Sequence, residues 1–244
     1  MMKQVLLFFS VFQLCLSVPG KAQIASAPIA DSSATHKSGK QAHTTLKLVR
    51  SYSVPILLTG YGLIAIGPSK TFYDRFDAKR DIQKQYPGFH NTLDNYLQFV
   101  PAATVFSLSL CGVKGKHNLT EQVILYSGSM ALSIGIATGL KYATHTLRPD
   151  GSTYNSFPSG HTTSAFTGAE VMNQEYGGTC FLYSIFGYGT ASATGMMRMM
   201  NNRHWMSDVL VGAGIGMIST KVFYAVYPAL KRRFYHPKVH TAIE

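Results

Sequence analysis

A chain of 244 residues has room for one domain with a substantial core, but not for a second full one. Hydrophobic residues make up 46% and charged residues only 14%. That balance lies between a soluble enzyme and a strongly apolar transporter, and it points to short apolar spans joined by polar loops. The 22 basic and 11 acidic residues leave a net charge of +11, which suits anionic partners. Nucleic acid is disfavoured among them, because no lysine-rich face with interleaved aromatics sits in a polar domain.

Residues 1–22 read as a signal peptide: Lys3 supplies the positive start, residues 5–18 are apolar, and Pro19-Gly20-Lys21-Ala22 follows. Cleavage is expected between residues 20 and 26. Cys15 falls inside this segment, and Cys111 and Cys180, both in apolar surroundings, are expected to be packing residues rather than a disulfide. Residues 23–46 are rich in Ala, Ser, Thr, Lys and His without apolar periodicity and read as a flexible linker. From 47 to 230 the chain carries six apolar stretches, at 54–66, 99–113, 123–140, 165–171, 181–197 and 209–227. Between the first two, the charged segment 70–98 with Phe72, Tyr73, Phe76, Ile82 and Leu93 predicts an amphipathic helix lying on a membrane surface. Small residues (Gly135, Ala137 and Gly139; Gly212, Gly214 and Gly216) would let helices pack closely. No repeat, heptad run or strand-like alternation is present, so the expected fold is all-α, a membrane-associated helical bundle of about five or six apolar helices. Residues 231–244 form a basic C-terminal tail.

By the positive-inside bias, Lys231-Arg232-Arg233 faces the cytoplasm, and counting spans backwards puts residues 141–161 and 198–204 on the outer face. Continuing through all six stretches places residue 50 inside, whereas a cleaved signal places it outside. One stretch is therefore expected not to span, and 54–66, interrupted by Gly60 and Gly62, is the candidate. An unprocessed signal or a peripheral bundle would also reconcile the count. The outward face corresponds to the periplasm of a bacterial cell envelope.

Three polar clusters interrupt the apolar second half: Lys141 with Arg148-Pro149, then Pro158-Ser159-Gly160-His161, then Arg198 with His204-Trp205-Met206-Ser207-Asp208. Brought to one end of a bundle, they make a coherent phosphate site. Lys141, Arg148 and Arg198 supply positive charge, and arginine offers the planar fork that matches phosphate oxygens. Ser159 and Gly160 precede a helix, where backbone N–H groups and the dipole favour an anion, and glycine adds no side chain to hold phosphate away. His204 and Asp208 are four apart, which on a helix puts them on one face. A carboxylate on one ring nitrogen fixes the tautomer and frees the other to attack. His161 would protonate the leaving alkoxide. A divalent-cation site would need clustered carboxylates, and this half offers only Asp150, Glu170, Glu175 and Asp208 before terminal Glu244, so neither metal nor other cofactor is expected. Each cluster alone has a plainer explanation as a helix end, a surface pair or an N-cap. Three together beside apolar spans favour function, because ionisable residues there are costly.

The pattern Lys-x6-Arg-Pro, Pro-Ser-Gly-His and Arg-x5-His-x3-Asp resembles the type 2 phosphatidic-acid phosphatase superfamily, which includes lipid phosphatases, class A acid phosphatases and vanadium haloperoxidases. The resemblance covers about residues 95–228. It implies His204 as a nucleophile forming a phosphohistidine, Asp208 as its partner, and His161 as the acid. It also implies phosphate contacts from Lys141, Arg148, Ser159, Gly160 and Arg198. One position departs: Met197 stands where the family usually has Ser. Arg203 is left between substrate contact and headgroup contact, the latter favoured. The expected activity is a metal-independent phosphatase acting on a phosphorylated lipid at the membrane, with lipid A preferred as substrate. Undecaprenyl diphosphate and phosphatidylglycerol phosphate are the nearest alternatives. A periplasmic non-specific acid phosphatase, a haloperoxidase and a non-catalytic lipid-binding bundle stand behind them.

Overall fold

The computed structural model describes residues 51–69 and 71–234. The expected signal peptide and linker, and the tail beyond residue 234, lie outside the described residues. Eight helices and no strand occur among the described residues: α1 Ser51–Ile64, α2 Arg75–Gln85, α3 Asp94–Leu97, α4 Val100–Leu110, α5 Leu119–Thr144, α6 Gly160–Tyr176, α7 Phe181–Met200 and α8 Met206–Phe234. Each of the six apolar stretches sits mainly in a helix of its own. Segment 70–98 differs from expectation, forming the two helices α2 and α3 with a turn between them. Pro87-Gly88 causes the break: proline cannot continue the helical hydrogen bonds, and Gly88 takes φ +69°, where a side chain would strain the backbone.

Helix α6 is the axis of the bundle, packed against α4, α5, α7 and α8. Thirteen of its 17 residues are buried, so it is far longer than the apolar stretch 165–171 suggested. Its buried Thr163, Thr167 and Glu170 side chains are satisfied inside the protein. Thr163 Oγ1 donates to Ser159 O at 2.9 Å, Thr167 Oγ1 to Thr163 O at 2.8 Å, and Glu170 accepts from Lys221 at 2.7 Å and from the Tyr188 hydroxyl. A hydropathy reading penalises such residues as though they were solvated, which shortened the stretch.

Close approach of α8 to its neighbours depends on the predicted glycines 212, 214 and 216. A Cβ on Gly212 would lie 2.8 Å from Ser159 O, on Gly216 2.6 Å from Thr163 O, and on Gly214 1.9 Å from Thr59 Oγ1 of α1. The α5 glycines do not share this role. A Cβ at Gly135 or Gly139 would meet nothing within 4 Å, and only Ala137 of that trio is buried.

Helices α5 and α8 are long and apolar enough to cross a membrane, whereas α1 and α4 are shorter. Most of α8 is buried within the protein, but α5 turns Val123, Ile124, Ile134 and Ile136 outward. Phe181, Leu182, Ile185 and Phe186 of α7 and Ile56, Leu57, Leu63 and Ile64 of α1 are likewise exposed. An apolar belt of this extent is not a water-facing surface, and the bundle is membrane-associated. Cys111 and Cys180 are free thiols. Cys180 is partly buried, but Cys111, expected to pack inside, is exposed where α4 ends, because the helix stops at Leu110 and turns outward at Gly112.

Candidate active site

Consecutive long helices run antiparallel, so the end of α5, the start of α6, the end of α7 and the start of α8 lie at one end of the bundle. This path brings the three polar clusters together. At their centre, His204 is buried, with 3% of its surface exposed. It does not sit on a helix as its spacing from Asp208 suggested, because α8 begins at Met206. The pair forms by another route. Asp208 folds back over the first turn of α8, where its Oδ2 accepts from the Trp205 N–H at 3.0 Å and meets His204 Nδ1 at 3.4 Å. Ser156 Oγ donates to the same carboxylate oxygen, and Ser207 Oγ to the other at 3.3 Å. The carboxylate is thus fixed by several donors, and His204 Nε2 is the nitrogen directed away from it. Burial, helped by the charges of Arg198 and Lys141 and opposed by Asp208, lowers the His204 pKa to about 4, so the imidazole is neutral near pH 7.

The cations divide into two kinds. Lys141 reaches across to the turn that precedes α6, and its Nζ donates to Asn155 O at 2.6 Å and Pro158 O at 2.7 Å. These contacts clamp the turn. Arg148 is steadied by Nε to Asn155 Oδ1 at 2.9 Å, and burial and the neighbouring Arg198 and Arg203 charges hold its pKa below the usual arginine range. Arg198 is buried and donates through Nη1 to Asp94 Oδ2 at 2.8 Å, while its buried Nε has no partner among the described residues. A buried guanidinium N–H without an acceptor is uncommon, and an anion at this point would satisfy it.

Ser159 and Gly160 also separate in role. The Ser159 hydroxyl caps α6, accepting from Thr162 N at 3.4 Å and from Thr162 Oγ1 at 2.9 Å, and its own N–H goes to Asp208 O at 3.0 Å. Its side-chain oxygen thus caps the helix start, and its backbone N–H ties the turn to α8. Gly160 opens α6, and a Cβ there would meet no protein atom within 4 Å. Gly160→Ala is expected to leave thermal stability unchanged while phosphate release falls at least about tenfold, because the methyl group enters the space an anion would take. Activity equal to wild type in the stable variant removes Gly160 from the site.

Sequence reasoning missed the groups that hold these residues. Asp94, buried, pairs with Arg198, and Asn95 Oδ1 meets His161 Nε2 at 2.9 Å, both from α3. Neither carries a signal of its own, being more than 60 residues from its partner in a segment that reads as surface helix. Asn155, which serves Lys141 and Arg148 together, lies inside a loop between two recognisable clusters. Arg203, left between substrate and headgroup, forms an ion pair with Asp150 at 3.1 Å and is 41% exposed. Helix α2 roofs this end from the side: Lys79 Nζ donates to Pro149 O at 2.5 Å, and Phe76 meets the Trp205 ring edge-on at 5.2 Å.

Comparison with known proteins bears on the same region. Residues 122–232 match the PAP2 superfamily, a span that contains all three clusters. A lipid A 1-phosphatase of Porphyromonas gingivalis is 42% identical over 137 residues, which is 56% of this chain and 31% of that protein. The chain thus matches about a third of the length of this curated relative. Two crystal structures resemble the fold at a TM-score of 0.47. Aquifex aeolicus LpxE is 22% identical, with 60% of this chain and 93% of that one covered. A transmembrane PAP2-type phosphatidylglycerolphosphate phosphatase of Bacillus subtilis is 19% identical, with 75% and 99% covered. At that score the likeness carries no conclusion about substrate.

Proposed function

We propose that this protein, whose residues 122–232 match the PAP2 superfamily, is a membrane lipid phosphatase that hydrolyses a phosphate ester through a phosphohistidine, and that its substrate is lipid A. The observation that carries the reading is the buried Nε edge of Arg198 without a partner, in a site where Arg148 and the neutral His204 converge. Crowded cations that disfavour one another's charge are relieved by a phosphate dianion, and a neutral imidazole beside it is a ready nucleophile.

In the first step His204 Nε2 attacks phosphorus in line with the ester oxygen. The P–O bond breaks as the N–P bond forms, and His161 gives the departing alkoxide its proton. Asp208 holds the Nδ1–H and stabilises the charge that develops on the ring. Arg148 and Arg198 neutralise the equatorial oxygens, the turn at Gly160 presents backbone N–H groups, and Lys141 keeps that turn in place. In the second step water, giving its proton to His161, displaces His204 and releases inorganic phosphate. His161 thereby regains the proton it lost.

Lipid A is preferred on the named activity of the 42% identical relative and on a basic protein with an apolar belt. The substrate would lie with its acyl chains along the belt and its phosphate at the polar end. An outward, periplasmic site is the orientation that the basic C-terminal end of α8 favours. The test is phosphate release by detergent-purified protein from lipid A, undecaprenyl diphosphate, phosphatidylglycerol phosphate and p-nitrophenyl phosphate, with and without EDTA. Release from lipid A, undiminished by EDTA, is the expected result. Release from another lipid reassigns the substrate, release from the small ester alone makes the protein an acid phosphatase, and none at all overturns the enzymatic reading.

A further inference from the structure

We propose that α3 is the positioning element of the site, with Asp94 orienting Arg198 for the phosphate and Asn95 orienting His161 for the leaving group. This rests on the phosphohistidine reading and assigns two residues outside the matched region 122–232.

Asp94 is 1% exposed, on a helix of four residues, and its carboxylate meets Arg198 at 2.8 Å across 104 positions of sequence. The nitrogen it engages is Nη1, on the Cδ side of the guanidinium. The opposite edge, formed by Nε and Nη2, is therefore left whole, and it is the edge that grips two oxygens of a phosphate at once. The buried Nε has no other acceptor among the described residues. Asp94 thus fixes the plane of the fork without consuming the part that binds.

Asn95 stands next in sequence and is solvent-exposed. Its Oδ1 lies 2.9 Å from His161 Nε2. With the amide oxygen there, Nε2 carries the proton and donates it, and Nδ1 is the nitrogen left for the leaving oxygen. Burial and the Arg198, His204 and Arg148 charges lower the His161 pKa, and an acceptor on Nε2 works against them by favouring the imidazolium that a general acid must be. The segment itself is bracketed by Asn201 at the end of α7. Asn91 N donates to Asn201 Oδ1 at 2.9 Å, and Asn201 Nδ2 donates to Asn91 O at 2.8 Å and to Asp94 Oδ2 at 3.3 Å. The phosphate-binding arginine and the proton donor are thereby referred to one short helix, which keeps their spacing constant.

Leaving-group dependence separates positioning from mere support, because an aryl phosphate departs without a proton and an alkyl phosphate does not. The full chain in detergent is assayed for first-turnover release of alcohol or phenol from an alkyl phosphate and from p-nitrophenyl phosphate. Asn95→Ala, an exposed change that should not move the melting temperature, is expected to slow the alkyl ester about tenfold and the aryl ester less than about twofold. Asn95→Asp, which keeps the acceptor, should restore the alkyl rate. Asp94→Asn should weaken inhibition by orthovanadate about tenfold, equally in assays with either ester, and Asp94→Glu should recover part of it. Equal loss on both esters in Asn95→Ala, or vanadate inhibition unchanged in Asp94→Asn, overturns the positioning roles. His161→Ala run in parallel distinguishes the layers. If it shows no leaving-group dependence, the acid assignment falls and the role of Asn95 falls with it. If it shows that dependence while Asn95→Ala matches wild type, only the role of Asn95 falls.

Discussion

His204→Ala is expected to lower phosphate release by at least about 10⁴-fold without unfolding the protein, and Asp208→Asn by about 10³- to 10⁴-fold. The first change removes the atom proposed to bond to phosphorus. The second keeps the shape of the side chain but replaces an acceptor-only group by an amide. In the wild type, Asp208 Oδ2 faces His204 Nδ1 at 3.4 Å and accepts from Trp205 N and Ser156 Oγ as well. An amide NH₂ turned toward Nδ1 would stabilise the opposite tautomer, with the proton on Nε2, and a protonated Nε2 cannot attack. The measurement is brief incubation with ³²P-labelled substrate, quenching in base, and detection of an acid-labile, base-stable phosphoprotein. Wild type should show the adduct and His204→Ala none. His161→Ala should still trap it from an aryl ester, since loss of the acid hinders departure of an alkoxide far more than departure of a phenolate. An adduct of wild-type yield in His204→Ala would place the nucleophile elsewhere.

Arg198→Met is expected to cost about 3–5 kcal/mol of stability as well as activity, because it leaves the buried Asp94 carboxylate without its charged partner. The double variant Arg198→Met with Asp94→Leu should regain most of that stability, since an apolar pair of similar volume replaces an ion pair whose burial was itself costly. It should regain no activity. Arg198→Lys separates the roles in another way. A lysine ammonium keeps a positive charge for Asp94 but has no second edge, so stability should be largely retained while phosphate release falls about 10²- to 10³-fold. Thermal unfolding in detergent beside turnover decides the matter. Recovery of turnover in the double variant would show that Arg198 serves only to neutralise Asp94.

Much of this protein was legible in its sequence, for reasons particular to its chemistry. Apolar stretches of helical length between polar turns have one economical arrangement in lipid, so the all-helical bundle follows from hydropathy and the absence of strand-like alternation. The three clusters announce themselves because Lys141, Arg148, His161, Arg198, His204 and Asp208 are ionisable groups beside apolar helices, where such groups are costly unless used. Glycine at 212, 214 and 216 likewise implied close helix approach. What the tertiary structure alone decided concerns partners brought together from afar. The length of α6 was hidden because Thr163 and Thr167 are satisfied by the carbonyls one turn back, and Thr167 and Glu170 by Ser133, Tyr188 and Lys221 of neighbouring helices, so their polarity costs nothing there. The His204–Asp208 contact needed a side chain folded back over a helix start, not two positions on one helical face. Lys141 and Ser159 were identifiable as polar groups at the site, but their contacts with the Pro158 carbonyl and with Thr162 are visible only in the fold. Asp94 and Asn95 had no local signature at all. Their meaning lies in contacts 104 and 66 residues away, because a charge or an amide becomes informative only when burial and distance show what it faces.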